Sequence, residues 1–127
     1  MEKDLLSNNK MIALFMDCIE GDINKNIVIR KSKEWDFPGI DSGINCRIEY
    51  LKYHYSWDWL MPVIEKISKI EMDDDSTYPC TFGMINQENG LFMFRFNRYP
   101  IFEHSLLITA AYFAVLNYIE HYNTLNQ

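Results

Sequence analysis

Apolar positions recur at steps of three and four residues in three parts of the chain, the spacing of one face of an α-helix. The first pattern predicts a helix over residues 9–20, with Gly21 as the left-handed residue that ends it. The second runs from residue 60 to 70 and leaves a polar face opposite its apolar stripe. The third follows Ser105, a residue type favoured as an N-cap, and continues nearly to the C-terminus. The pattern therefore predicts three helices.

Short β-branched or alternating runs predict the strands. NIVIRK, which begins at Asn26, and INCRIEYL are two candidates, and a loop that contains Trp35 separates them. Further along, TYPCTFGMIN and LFMFRFNRY flank the turn QENG. The Asn89-Gly90 pair in this turn is a strong short-range signal for a β-hairpin. We therefore expect a hairpin directly ahead of the last helix.

The parity of the hairpin loop decides which strand residues share a face of the sheet. An even loop, Asn89-Gly90 alone or all of QENG, sets even positions of one strand beside odd positions of the other. The predicted faces are Tyr78, Cys80, Phe82 and Met84 with Leu91, Met93 and Arg95, and Thr81, Gly83 and Ile85 with Phe92, Phe94 and Phe96. Both faces are then largely apolar, and Gly83 leaves room for a facing phenylalanine.

A sheet with two apolar faces has to be covered on both, and three helices are available. The predicted fold is therefore α+β, a three-layer helix/antiparallel sheet/helix sandwich. It has about three helices and three to four strands, and a C-terminal hairpin is followed by a helix. The 127 residues fit a single domain, 1–127. An odd hairpin loop would instead collect the aromatic side chains on one face, leave the other half-polar and give two layers.

Charge and cysteine content exclude several classes of function. Twelve basic against eighteen acidic residues give a net charge of −6, which argues against nucleic-acid binding because it repels a phosphate backbone. The three cysteines show no C-x-x-C spacing and no signal peptide precedes them, which indicates the reducing cytoplasm. No apolar run approaches the ~20 residues of a membrane span, so we expect no membrane partner.

No catalytic or metal-binding signature is present in the sequence. His54, His104 and His121 lack the spacing of metal ligands, and the acidic run at residues 73–75 lacks the glycine and the distal glutamate of a calcium loop. We therefore predict a protein without enzyme activity, with no catalytic residue, no metal and no cofactor.

The stretch YHYSWDWLMP, residues 53–62, concentrates aromatic side chains at the start of the second helix. Ser56 is a favourable N-cap, and Asp58 places a negative charge in the first turn, where the helix dipole favours it. Pro62 lacks an N–H and cannot lie deep inside a regular helix. We expect a tight or 3₁₀ first turn, with Pro62 opening the regular helix.

Two interpretations of this stretch stay open. In the first it is only an anchored helix start, in which at least one of Trp57 and Trp59 is buried. In the second, His54 and Asp58 place polar groups beside Trp57 and Trp59, the combination of aromatic wall and few polar contacts that binding sites use. A small anion could be bound by Arg95 and Arg98 on the hairpin or, as an alternative, by Arg30, Lys31 and Lys33 near Trp35. The candidate binding residues are His54, Trp57, Asp58, Arg95 and Arg98.

The string YHYSWDWLMPVIEKI, residues 53–67, resembles the hallmark of a family of small uncharacterised proteins from Bacteroidetes and their phages and prophages, with the pattern YHxSWDWLMPVxEKI. Outside it the resemblance covers the order of elements and the opening helix, KMIALFMDC. The family is similar to phage proteins with a helix/sheet/helix (ABA) sandwich domain. The resemblance implies a phage or prophage origin in a bacterial host cell, and it transfers no catalytic residues.

Together these features predict a phage or prophage accessory protein that acts by binding, with a host or anti-phage defence protein as its partner. The aromatic stretch and the hairpin are its expected contact surfaces. The alternative is a protein that sequesters a small anionic, nucleotide-like ligand, with Trp57, His54 and nearby arginines as the pocket. Such a pocket could lie at the subunit boundary of a homo-oligomer.

Overall fold

The computed structural model describes residues 2–21, 27–30, 45–71, 80–86, 88 and 90–125. Within these residues the chain forms three α-helices and two three-stranded antiparallel sheets. This confirms the α+β class, the three helices and the C-terminal hairpin followed by a helix, whereas six strands replace the three to four expected. The loop with Trp35 and the acidic run 73–75 lie outside the described residues.

The chain divides into two compact units, residues 1–63 (unit 1) and 64–127 (unit 2). The boundary falls inside the second helix, between Val63 and Ile64. The single domain 1–127 stays a prediction, and each unit is described here by itself.

Unit 1 places helix α1 (Glu2–Phe15) against a small antiparallel sheet. The strands β1 (Cys18–Glu20), β2 (Ile27–Arg30) and β3 (Asn45–Arg47) lie in that order, and a 3₁₀ helix (Ile48–Tyr50) follows β3. Helix α1 contacts β1, β2 and the 3₁₀ helix. Helix α1 and β2 contribute the buried apolar side chains Ile12, Ala13, Phe15 and Val28, and Met16, directly after α1, is also buried. The two predicted strands of this half are present, and β1 is an addition.

Helix α1 begins and ends earlier than its periodicity predicts. It ends at Phe15, and Asp17 rather than Gly21 takes the left-handed conformation, with φ 67°. Aspartate tolerates this region because its short side chain can hydrogen-bond locally. The next residues pair with β2, for example Ile19 with Ile29, although their spacing continues the helical pattern. Pairing between distant segments therefore overrides local periodicity here.

Helix α2 (Trp57–Glu71) begins directly after Ser56, as the N-cap prediction requires. The Ser56 carbonyl accepts hydrogen bonds from the amides of Trp59 (3.1 Å) and Leu60 (3.0 Å), so the first turn mixes 3₁₀ and α geometry. Pro62 lies inside the helix rather than at its opening. Because proline lacks an N–H, the Asp58 carbonyl four residues back receives no hydrogen bond from it.

Unit 2 pairs the last helix with the second sheet. The strands β4 (Cys80–Asn86), β5 (Leu91–Phe96) and β6 (Phe102–His104) lie in that order, and α3 (Leu107–Leu125) packs on β5 and β6. The Leu106 carbonyl accepts hydrogen bonds from the amides of Thr109 and Ala110, so Leu106 and not Ser105 holds the N-cap position. Strand β6 was not predicted because three residues are too few to show alternation.

The register of the hairpin differs from the prediction by one residue. At the tip Asn86 pairs with Leu91, across the four residues of QENG, which is the parity of an even loop. A β-bulge between Met84 and Asn86 then inserts one residue, and beyond it even positions face even positions, as in the pair Phe82 and Phe94. Because side chains alternate with period two, one inserted residue exchanges the faces of the whole strand.

The bulge collects the aromatic side chains on one face of the sheet, so the predicted faces are wrong and the distribution is that of the odd-loop alternative. The aromatic face carries Cys80, Phe82, Met84, Phe92, Phe94, Phe96, Phe102 and His104. The opposite, half-polar face carries Thr81, Gly83, Met93, Arg95 and Glu103. Helix α3 lies on the aromatic face, where the rings of Phe96 and Tyr118 are 5.7 Å apart.

Gly83 does not make room for a phenylalanine, which corrects the packing reason inferred from the sequence. Its cross-strand partner is Met93. Within the described part of the chain, nothing lies within 4 Å of the position that a Cβ at Gly83 would take.

Candidate binding sites

The five predicted site residues separate into two groups. His54, Trp57 and Asp58 lie in unit 1, at and just before the start of α2, whereas Arg95 lies on β5 and Arg98 in the turn after β5, both in unit 2.

The two tryptophans at the start of α2 have different environments. Trp59 is 7% exposed, and its ring meets the buried ring of Tyr53 edge to face, with centroids 5.4 Å apart. Trp57 is 38% exposed. The prediction that at least one of them is buried is confirmed. Of the two, only Trp57 remains accessible to a partner. Trp59 therefore anchors the helix start in the core, and Trp57 is exposed beside it.

Trp57 belongs to an accessible surface, the Trp57 surface, formed by Tyr55, Trp57, Asp58 and Met61. Tyr55 is 59% exposed and Met61 49%, and the carboxyl group of Asp58 also faces solvent. Trp57 and Met61 are four residues apart on α2, so their side chains lie on the same face of the helix. The surface thus combines large apolar side chains with one negative charge.

His54 connects this surface to the core of unit 1. The buried Asn9 side-chain amide donates one hydrogen bond to the Leu51 carbonyl (3.3 Å), and its nitrogen lies 3.1 Å from His54 Nδ1. Since the amide nitrogen can only donate, Nδ1 is the acceptor and the histidine is neutral with its proton on Nε2. Burial lowers the pKa of His54, which favours the same neutral form. Its ring also lies edge to face against Tyr55, at 4.6 Å.

In unit 2, Arg98 lines an open cavity of about 800 Å³, which we call the Arg98 cavity. The end of α2 contributes Glu71, and the turn between β5 and β6 contributes Arg98, Tyr99 and Pro100. The backbone of Arg98 is left-handed, with φ 72°, and the Tyr99 amide donates to the Phe96 carbonyl (3.0 Å). This tight turn directs both side chains of the Arg98-Tyr99 pair to the cavity.

The remaining wall of the Arg98 cavity is one face of α3. Its polar members are Asn117, Glu120, His121 and Thr124, spaced by three, one and three residues, and Leu125 adds an apolar side chain. These positions lie together on a helix because three- and four-residue steps return to the same face. The apolar stripe of this helix was predicted from the sequence and its polar stripe was not, although both follow the same helical periodicity.

A carboxylate shared by two tyrosines forms the inner side of the cavity. The Tyr99 hydroxyl donates to Glu71 Oε1 (3.4 Å), and the buried Tyr118 also hydrogen-bonds Glu71. Desolvation, together with the negative charge of Glu71, raises the pKa of both tyrosines, so both hydroxyls stay protonated donors. The rings of Tyr99 and His121 meet edge to face at 5.4 Å.

Arg95 lies outside this cavity. It is half-buried on the half-polar face of the hairpin sheet, opposite Thr81. The structure therefore brings Arg98 alone of the five predicted residues into the cavity.

Among the residues that the structure describes, no group of three or more His, Cys, Asp or Glu side chains is placed to hold a metal ion. None of the helices that the structure describes has the length and apolar character needed to span a membrane.

Comparisons with known proteins found no match: no family model, curated protein or solved structure corresponds to this chain.

Proposed function

We propose that this protein is a non-enzymatic accessory protein that acts by binding another protein through the Trp57 surface. The observation that supports this is the exposure of three large side chains, Tyr55, Trp57 and Met61, at the start of a helix whose adjacent tryptophan is buried. Tryptophan and tyrosine are favoured at the energetic centres of interfaces because they bury large areas with few rotatable bonds. A rigid helix start presents them with little loss of conformational entropy.

The charge of the protein indicates the chemistry of the partner. The net charge of −6, together with Asp58 inside the surface, favours a partner with an apolar pocket and a basic rim. The proposed partner is a host protein or an anti-phage defence protein in the cytoplasm of a bacterial cell, in keeping with the phage or prophage origin that the resemblance implies.

The alternative, sequestration of a nucleotide-like anion by His54, Trp57 and the hairpin arginines, has weaker support. Asp58 adds a negative charge next to Trp57, and Arg98 shares its cavity with two glutamates. Both environments disfavour a phosphate-bearing ligand.

The test compares the protein with its Trp57→Ala and Phe113→Ala variants. Phe113 is a matched control because it is 43% exposed on a helix surface of unit 2. Each protein would be purified gently from its host cell and examined by native mass spectrometry. The captured partner would then be purified and its affinity measured by calorimetry at low and high salt.

The proposal expects Trp57→Ala to weaken partner binding by about 2 kcal/mol, roughly thirtyfold, with Phe113→Ala unchanged. It also expects affinity to fall as salt rises, because a basic rim would be screened. Equal affinities of the wild type and Trp57→Ala for the purified partner would contradict the proposal.

A further inference from the structure

The Arg98 cavity has no role in the proposed contact, and both polar and apolar side chains line it. It joins a wall of convergent polar side chains to the apolar surfaces of Tyr99, Pro100 and Leu125. Small-molecule sites typically combine a concave, partly apolar wall with a few polar groups of fixed orientation. All of its lining residues lie in unit 2.

The charges of the lining residues determine whether the cavity favours a cationic or an anionic ligand. Glu71 and Glu120 carry two negative charges, against the single positive charge of Arg98. The net charge of −6 of the whole chain adds to the negative potential. A cation is therefore attracted, whereas a phosphate or carboxylate would face two like charges and only one guanidinium.

The aromatic ring of the cavity suits the same kind of ligand. Tyr99 is held by its hydrogen bond to Glu71, by the turn that contains it and by contact with His121. A ring held in this way is a preformed apolar surface against which the aromatic body of a ligand can pack. Pro100 and Leu125 provide surface for an apolar body.

The turn that carries Arg98 keeps this geometry in place before any ligand arrives. A left-handed backbone is unfavourable for a residue with a Cβ, and it persists here because the surrounding turn enforces it.

We propose that the Arg98 cavity binds a small organic cation, an ammonium group attached to an apolar or aromatic body. The ammonium lies at the carboxylates of Glu71 and Glu120, and the body packs against Tyr99, Pro100 and Leu125. This site is independent of the Trp57 surface, so Trp57→Ala leaves amine binding intact.

Three probes of matched size test the sign of the charge: 2-phenylethylamine, 2-phenylethanol and 3-phenylpropionate. Each would be titrated to millimolar concentration into the ¹⁵N-labelled protein and followed by the amide NMR signals. The expected result is saturable shifts of the signals of residues 98–100 and 117–125 with the amine, and smaller or no shifts with the alcohol and the acid.

The matched variants are Glu120→Gln and Glu103→Gln. Both positions are exposed in unit 2 and both changes remove one negative charge, but only Glu120 lines the cavity. Glu120→Gln should weaken amine binding by about two- to fivefold, the range of an exposed ion pair, and Glu103→Gln should leave it unchanged. Glu120→Lys should abolish it.

Three results would overturn the proposal. Saturation by phenylpropionate at least as tight as by the amine would make the site an anion site. Equal weakening by Glu120→Gln and Glu103→Gln would show only a general effect of net charge. Absence of saturable shifts with every probe would mean that the cavity does not bind organic cations of this size.

Discussion

In unit 1 the hydroxyl of Tyr53 is buried and has no hydrogen-bond partner within the described part of the chain, whereas in unit 2 the hydroxyls of Tyr99 and Tyr118 both reach Glu71. Both regions are aromatic clusters next to α2, and Tyr53 and Tyr118 are almost completely shielded from solvent. The two clusters differ in whether the buried tyrosine hydroxyls have a hydrogen-bond acceptor.

The difference shows what each cluster contributes. Tyr53 packs its ring against Trp59, and burial raises the pKa of its hydroxyl, helped by the nearby Cys18 and Cys46. Its role is to fill space beneath the start of α2. In unit 2 the tyrosines are hydrogen-bond donors that orient a carboxylate at the wall of a cavity. The first cluster therefore depends on apolar packing and the second on polar connections.

The largest effect should come from removing the apolar anchor of the first cluster. Trp59→Ala is expected to lower the free energy of unfolding by about 3–5 kcal/mol, because it leaves a cavity where a buried ring packs on Tyr53. Urea denaturation followed by circular dichroism measures this loss.

The control is the exposed neighbour, Trp57→Ala, which should cost about 1 kcal/mol or less because the ring is already in contact with water. If both variants lost several kcal/mol, the whole stretch would be part of the core, and the Trp57 surface would lose its basis as a contact site.

A pair of Tyr→Phe substitutions compares the two clusters directly. Tyr53→Phe should raise the free energy of unfolding by about 1 kcal/mol, since it removes a buried hydroxyl without an acceptor and keeps the ring. Tyr118→Phe should lower it by about 1–2 kcal/mol, because it removes a hydrogen bond to a carboxylate. Both are measured by urea denaturation under the same conditions.

Opposite signs in this pair would confirm the contrast between the clusters. A loss of stability in Tyr53→Phe as well would show that its hydroxyl has an acceptor. Hydrogen bonds of the tyrosine hydroxyls would then stabilise both clusters.

The smallest expected effect on stability comes from a hydrogen bond that is formed in unit 1, between Asn9 and His54. The pKa of His54 is lower in the folded protein than its ordinary value of 6.5, because burial disfavours the charged ring. The unfolded chain therefore takes up the proton first as the pH falls. The contribution of His54 is complete above pH 6.5 and is lost as the pH falls through the lower folded pKa.

The measurement is the difference in melting temperature between the wild type and His54→Gln, from about pH 7.5 to about pH 5. The wild type should lose more stability than the variant across this range, since a protonated Nδ1 would place a second donor against the Asn9 amide. A pH-independent difference between wild type and His54→Gln would contradict the assignment.

The hairpin shows which features local sequence patterns predict and which they do not. Asn89-Gly90 predicted the turn, and the Asn86 to Leu91 pairing has the expected parity. The bulge at Ile85 was not predictable, because a strand with apolar residues on both faces is compatible with either register. Packing of Phe94 and Phe96 under α3 decides it, and that choice depends on residues more than ten positions away.

The candidate sites were predictable to different degrees. The aromatic stretch is conspicuous in the sequence, and two of its predicted residues, Trp57 and Asp58, lie at the exposed helix start. The Arg98 cavity was not anticipated, because its walls come from three elements that are distant along the chain. Of its residues only Arg98 was a candidate. Glu71, Tyr99 and His121 become candidates only because the fold brings them into contact at one cavity.

The sequence by itself determined the helices, the hairpin, the acidic charge and the helix start at Ser56, because these depend on periodicity, turn chemistry and composition within a few residues. Only the tertiary structure decided that Trp59 is buried while Trp57 is exposed, that one bulge exchanges the faces of β4, and that Glu71 accepts hydrogen bonds from two tyrosines. These outcomes depend on which distant side chains compete for the same space and the same hydrogen-bond acceptors.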